Sequence, residues 1–252
     1  MPRKITIDGI APNGGVQIIG DANHGGNISG NAKEYKRHTT YLFDGIALDT
    51  TNDWAVSVPG TTDSVAISEV QGGSALITTG TVDDDSCMMA TPIIYSGTKN
   101  AIFEAKITVS DVTGTALFVG FSDAKSESNN SIAIHYASDT LTSVATNAVG
   151  FVCDADSTTA GASMIMCEGV KAGTDETSVS TGTTWADGET KTVRLELVGD
   201  EATFYLDGVR LGYMDDALTA ATLMCFTVQA MTRANDGSNT VYVHRVDIWQ
   251  DE

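Results

Sequence analysis

The 252-residue chain carries 14 basic and 33 acidic residues, a net charge of −19, with 25 glycines against 4 prolines. That balance excludes a nucleic-acid-binding body, whose affinity would come from Lys and Arg neutralising phosphates. No window approaches the roughly 18 apolar residues of a spanning helix, and "MPRKITIDGIAPNGG" has no apolar core of signal-peptide length, so synthesis in the cytosol and no membrane partner are expected.

Residues 1–40 differ from the rest. "IAPNGGVQIIGDANHGGNISGNAKEYKRH" is rich in Gly and Asn and keeps no periodicity, which reads as irregular backbone. It is also the basic part of the chain. Arg3, Lys4, Lys33, Lys36 and Arg37 face three acidic residues there, leaving nine basic against thirty acidic residues beyond it. Such a segment cannot bury a core of its own, so an extended docking arm is expected, held by a partner surface or a neighbouring copy. Ile5, Ile7, Ile10, Val16, Ile18 and Ile19 are its candidate apolar anchors, by strand addition to a neighbour's sheet edge. Lys33, Lys36 and Arg37 are its candidate contacts to an acidic surface.

From Tyr41 onward short strand candidates follow at the spacing of a sandwich or barrel. They are "WAVSV" (54–58), "SVAIS" (64–68), "SALITT" (74–79), "AIFEAKITV" (101–109), "ALFVGF" (116–121), "SIAIHYA" (131–137), "VGFVC" (149–153) and "SMIMCEGV" (163–170). In the 101–109 strand Phe103, Ala105, Ile107 and Val109 alternate inward. "VRLELVGDEATFYLDGVRLGYM" (193–214) reads as three strands joined by Gly199-Asp200 and Asp207-Gly208 turns. Two-residue loops pair Leu197 with Ala202, Leu195 with Phe204 and Val193 with Leu206. Across the second turn they pair Leu206 with Val209, Phe204 with Leu211 and Ala202 with Tyr213. All of these share one apolar face. The other face receives Arg194, Glu196, Thr203, Tyr205 and Arg210. "DDALTAATLM" (215–224) has room for one or two helical turns, and "LMCFTVQAMTR" (223–233) and "TVYVHRVDIWQ" (240–250) close the set. About a dozen antiparallel strands imply an all-β, two-sheet jelly-roll sandwich.

The stretches "NAIFEAKITVSD", "FVGFSDA", "KTVRLELVGDEATFYLDGVRLG" and "VYVHRVDIW" resemble the concanavalin A-like lectin/glucanase jelly roll, in particular the laminin-G-like versions of tailed-phage virion proteins. The resemblance spans Tyr41 to Glu252 and omits the arm. It implies a non-enzymatic virion part: a capsid decoration, cement or head-fibre-base protein on the capsid exterior, since packaged DNA would repel the acidic body. The major capsid protein or other virion subunits would be its partners, with homo-oligomers. The alternative is a carbohydrate-binding module whose partner is a glycan, and a second is a divergent glycoside hydrolase.

The chemistry-bearing residues are weighed against these readings. Retaining glucanases of this fold carry Glu-x-Asp-x-Glu on one strand. The nearest fragment, "VDIWQDE" (246–252), has Val246 at the first position, and Glu104 has no acid two or four residues on. No catalytic, cofactor or metal residue is therefore assigned. "VDDDS" (82–86) and "CDADS" (153–157) suit loop calcium ligands but match no metal-loop pattern and read as solvated acids. Arg194, Tyr205 and Arg210 form a row across three strands, a candidate sugar or subunit contact. Trp54, Trp185 and Trp249 lie in apolar alternation and are expected to be buried. Cys87, Cys153, Cys167 and Cys225 show no C-x-x-C pair and are expected to be reduced, buried thiols.

Overall fold

The computed structural model describes residues 36–45, 47–60, 62–68, 73–157, 161–233 and 237–251. Eighteen strands and one 3-10 turn (Gly97–Lys99) make up its regular structure; no α-helix occurs among the described residues. The first sheet is built from β1 (Lys36–Leu42), β3 (Ser64–Ser68), β4 (Ser74–Thr78), β6 (Ile102–Val109), β14 (Thr190–Val198), β15 (Glu201–Leu206), β16 (Val209–Met214) and β18 (Thr240–Asp251). Their order is β16-β15-β14-β6-β18-β4-β3. One edge of β18 is shared: its first residues pair with β4, and Arg245 to Asp251 pair with β1.

The second sheet contains β2 (Ala55–Ser57), β5 (Ser86–Ala90), β7 (Thr115–Ser122), β10 (Ala148–Asp154), β11 (Met164–Lys171), β12 (Thr174–Asp175), β13 (Val179–Thr184) and β17 (Cys225–Thr232). Its order is β12-β11-β10-β7-β17-β5-β2, with β13 also on β11. A separate hairpin, β8 (Ile134–Ala137) and β9 (Thr140–Ser143), belongs to neither sheet. Every pairing is antiparallel, so the molecule is the expected two-sheet sandwich of jelly-roll type.

The core between the sheets follows from alternation. Phe103, Ala105, Ile107 and Val109 of β6 and Val193, Leu195 and Leu197 of β14 point inward. They meet Leu117, Val119 and Phe121 of β7 and Phe226, Val228 and Ala230 of β17. Phe103 is the hub, with its ring centroid 4.9 Å from Phe226 and 5.3 Å from Phe121. The first of these pairs is tilted and the second edge-on, arrangements that contribute beyond their buried area.

The meander pairs as the turns require on its first hairpin: Leu197 with Ala202, Leu195 with Phe204, Val193 with Leu206. Asp207 and Gly208 both have positive φ, the conformation of a tight primed turn. The second hairpin departs from expectation. A bulge at Leu211 pairs Phe204 with Gly212 and Ala202 with Met214, so Tyr213 turns outward. Gly212 allows the shift, because a Cβ there would lie 2.5 Å from Val179 Cγ1 of β13.

Residues 215–224 form no helix; Asp216 takes a positive φ, and Ala217 and Leu218 insert into the core instead. β1, β5, β9, β12 and β13 lie outside the expected strand set, and β1 draws residues 36–40 from the segment expected to be irregular into the first sheet. β5 is buried at every position and so shows no alternation, while "VSTGTT" of β13 has the composition of a loop. All three tryptophans are buried, as expected. The four cysteines are free and buried, with Cys153 opposite Ile165 and Cys167 opposite Phe151.

Candidate functional site

The outer faces of the two sheets differ in kind. On the first sheet the polar halves of the alternating strands line up in register. Arg210 pairs with Tyr205, Tyr205 with Arg194, Arg194 with Glu104, Glu104 with Asp247, and Asp247 with Thr40. One row therefore crosses six strands, about 24 Å at the usual strand spacing. Arg194, Tyr205 and Arg210, singled out from the sequence, are brought together at one end of it.

Ion pairs and hydrogen bonds fix these side chains. Arg194 donates from Nε to Glu196 at 2.8 Å and lies 3.6 Å from Glu104. Its guanidinium carbon is 5.7 Å from the Trp249 ring centroid, and His38 stacks on the same ring at 4.7 Å. The Tyr205 hydroxyl donates to Glu196 at 3.5 Å, and Arg210 lies 5.9 Å from the Tyr213 ring centroid. Asp247 is sealed. Burial pushes its carboxyl up, but hydrogen bonds from Arg245, Thr40 and His38 outweigh this and hold it below the ordinary range. Trp249, His38 and Asp247 were missed as members of the face, because only the pairing of β1 with β18, some 210 residues apart, assembles them.

Lys36 and Arg37 open β1 and pair with Asp251 and Gln250 of this chain's own sheet. Ile5, Ile7, Ile10, Val16, Ile18, Ile19 and Lys33 lie outside the described residues.

The outer face of the second sheet is covered. Ile132, Ala133, Ile134, Tyr136 and Ala145, from the segment carrying β8 and β9, pack on Ala116, Phe118, Val152, Met166 and Val170. Polar groups beneath this cover are paired. Gln229 Oε1 accepts from the Ala133 N–H at 2.6 Å. Arg233 donates two hydrogen bonds to Asp154, at 3.0 and 2.9 Å, and also bonds Asp84 and the Tyr136 carbonyl. Asp156 lies 3.6 Å from the same guanidinium. Acids of both runs read as solvated loops thus converge on one arginine. Among the described residues no group of three His, Cys, Asp or Glu side chains could hold a metal ion.

Glu168, fully buried on β11, accepts from the Tyr136 hydroxyl at 2.7 Å and from Ser178 Oγ at 2.6 Å. Burial raises its carboxyl to about 7. Glu127, in the segment leading to β8, is likewise raised to about 7 by burial and then by Asp123. Its Oε1 has no partner, and the crevice beside it, lined by Ser57, Ser86 and Ser131, is too narrow for water. β10 presents Ala148, Gly150, Val152 and Asp154 on its outer side, so it carries no run of alternating carboxylates.

No family model and no curated relative matches the sequence. Solved structures do match. A non-specific endo-β-1,3(4)-glucanase of family GH16 superposes with a TM-score of 0.59 at 12% identity, over 88% of this chain and 93% of that one. A structure reported with endo-acting O-glycanases of the human gut microbiota that initiate mucin breakdown gives 0.59 at 10% identity, over 85% and 99%. A sialidase gives 0.51 at 13% identity over 78% of this chain, which spans only 17% of the sialidase. The likeness is one of fold, the concanavalin A-like jelly-roll sandwich.

It corrects the expectation of a non-enzymatic virion protein, since solved structures of the same fold are described as an endo-β-glucanase and endo-acting O-glycanases. The physical weakness of that expectation lay in the exclusion of catalysis from one missing strand motif. A carboxyl becomes a usable acid through its surroundings rather than its motif, and burial raises Glu127 and Glu168 in segments that carry no such motif.

Proposed function

We propose that the chain is a carbohydrate-recognising β-sandwich that lays a glycan across the outer face of its first sheet. The observation that carries the reading is the register of Arg210, Tyr205 and Arg194 on three neighbouring strands. Tyrosine and arginine offer flat apolar surfaces rimmed by hydrogen-bond donors, which suits the alternating C–H and hydroxyl faces of a sugar chain. Their ion pairs to Glu196 and Glu104 hold Arg194 in place before a ligand arrives. The solved glycanases of the same fold support carbohydrate as the ligand class.

The test is migration of the purified protein through native gels containing mixed-linkage β-glucan, laminarin or mucin. Retardation by at least one is expected, and Tyr205→Ala with Arg210→Ala should weaken it about tenfold. No retardation by any of a broad polysaccharide panel, or full retardation of the double variant, refutes the reading.

Glycoside hydrolysis is a second reading, supported by the solved endo-glucanases of the same fold, with Glu127 and Glu168 as the carboxyls to test. Hydrolysis needs a carboxylic acid still protonated near neutral pH, and both are raised to about 7. Release of reducing ends that disappears in Glu127→Gln or Glu168→Gln would support it; release unchanged in both would remove these residues from the chemistry.

A further inference from the structure

We propose that the cleft between the 49–55 turn and Lys125 is a second, separate subsite that seats one neutral sugar ring, the end or a branch of a glycan; this rests on the carbohydrate reading above. The cleft is open to solvent, has a volume of about 120 Å³, and is lined by Thr50, Thr51, Asn52, Trp54, Pro92 and Lys125 among others. It lies beside β2 at the edge of the second sheet, whereas the polar row crosses the first.

Its wall is rigid. Asp49 accepts the backbone N–H groups of Thr51 and Asn52, each at 3.0 Å, and the Asn52 side-chain amide at 3.0 Å. The Asp49 carbonyl accepts from Asp53 and Trp54. Tyr41, Phe43 and Phe226 clamp the Trp54 ring at centroid distances of 4.8, 5.7 and 6.5 Å. A preorganised wall lowers the entropy that binding must overcome.

Its polar groups are unused. Trp54 is 4% exposed, yet its indole N–H meets no acceptor among the described residues. The buried polar atoms without a partner do not include this nitrogen, so the N–H reaches solvent beside the cleft and is open to an acceptor there. The Thr50 and Thr51 hydroxyls and the Lys125 ammonium also have no partner among the described residues. Trp54, Ala55 and Pro92 add apolar surface beside these groups. Hydroxyl, ammonium and indole donors around an apolar strip match a polyhydroxylated ring.

Size and charge narrow the class. A cavity of about 150 Å³ holds one benzene ring, so 120 Å³ with an open mouth seats one face of a single pyranose unit and leaves its far side and the rest of a chain in solvent. Asp49 and Asp53 back the wall against a single lysine, which disfavours a uronate, sulfate or sialate.

The experiment titrates the full chain with methyl glucoside, methyl galactoside, N-acetylglucosamine and glucuronate, reading tryptophan fluorescence and calorimetry. At least one neutral sugar should saturate, bind more tightly than glucuronate, and weaken about tenfold in Thr50→Val with Lys125→Ala, both exposed positions. If no neutral sugar saturates, if glucuronate binds better, or if the double variant binds normally, the subsite is refuted. Polysaccharide retention that survives such a result leaves the face reading standing. Retention lost with monosaccharide binding intact removes the face and keeps the cleft.

Discussion

Replacing Glu168 with glutamine should stabilise the protein above neutral pH and remove part of its pH dependence. The side chain is fully buried, and the groups that reach it are the Tyr136 hydroxyl and Ser178 Oγ, with no cation; Asp175 adds a like charge. Burial therefore dominates and lifts the carboxyl from 4.5 to about 7. Because the folded state binds this proton more tightly than the unfolded chain, the stabilisation is complete below pH 4.5 and is lost as pH rises through 7. At about 1.4 kcal/mol per tenfold change in proton affinity, the loss is at most roughly 3 kcal/mol. For a domain of this size that is roughly 6–12 °C in Tm. Glutamine reproduces the neutral acid: its carbonyl accepts from Tyr136 and its amide donates to Ser178. Urea unfolding of both proteins at pH 5 and pH 8 isolates the effect, because repulsion among the surface acids acts equally on the two. Glu127 titrates in the same window, so Glu127→Gln serves as the second background. Parallel loss of stability in the parent and Glu168→Gln, or a glutamine variant weaker at pH 8, would refute the argument.

Three further outcomes follow from buried groups. Arg233→Met leaves Asp154 buried without its cation and should cost about 3–5 kcal/mol, whereas Asp84→Asn, at the exposed rim of the same cluster, should cost under about 1 kcal/mol; equal losses in urea unfolding would contradict the burial argument. Gly120→Ala places a Cβ 2.3 Å from the Val149 carbonyl and 2.7 Å from Gly150 Cα, so a loss of about 1–3 kcal/mol is expected, and an unchanged midpoint would show that the two strands can part. Burial raises the thiols of Cys87, Cys153 and Cys225 to about 12, and that of Cys167 also upward. The native protein at pH 8 should resist alkylation, and the denatured, unreduced protein should show four modified thiols by mass; two modified thiols and a linked Cys153–Cys167 peptide would overturn this.

Local signals carried the fold a long way. Turn chemistry and alternation set the 193–206 hairpin to the residue, because each strand there is buried on one side only. The same reasoning failed by one residue after Tyr205, where a bulge at Leu211 sets Gly212 against Val179 of the other sheet, a contact the hairpin's own letters do not contain. β5 was illegible because burial on both sides erases alternation, and the 215–224 segment because tertiary burial of Leu218 overrode its helical composition. Of the candidate site, the Arg194–Tyr205–Arg210 row was legible since it lies within one meander. Its continuation through Glu104 and Asp247 to Thr40 needs strand neighbours far apart in sequence.

The contrast between the two outer faces also bears on where any ligand can act. The β8–β9 segment could lie on the second sheet because that face is largely apolar and is thinned at its centre. Gly120 and Gly150 oppose each other there, and Phe118 lies over the pair, its Cζ 2.8 Å from where a Gly120 Cβ would stand. Polar groups on that face are satisfied by the cover and by one another, Gln229 by Ala133, Asp154 by Tyr136 and by Arg233 at the end of β17, Glu168 by Tyr136. A ligand approaching the second sheet from outside must first displace a segment whose backbone and side chains satisfy those groups, leaving buried carboxylates exposed to rearrangement. The first sheet imposes no such displacement, since no segment covers its row among the described residues and the Arg194 ion pairs to Glu104 and Glu196 lie at the surface. Binding that leaves the hydrogen-exchange protection of Ile134 and Tyr136 unchanged therefore belongs to the first sheet or the Trp54 cleft. Hydrolysis by Glu168 would require that protection to fall whenever substrate is bound.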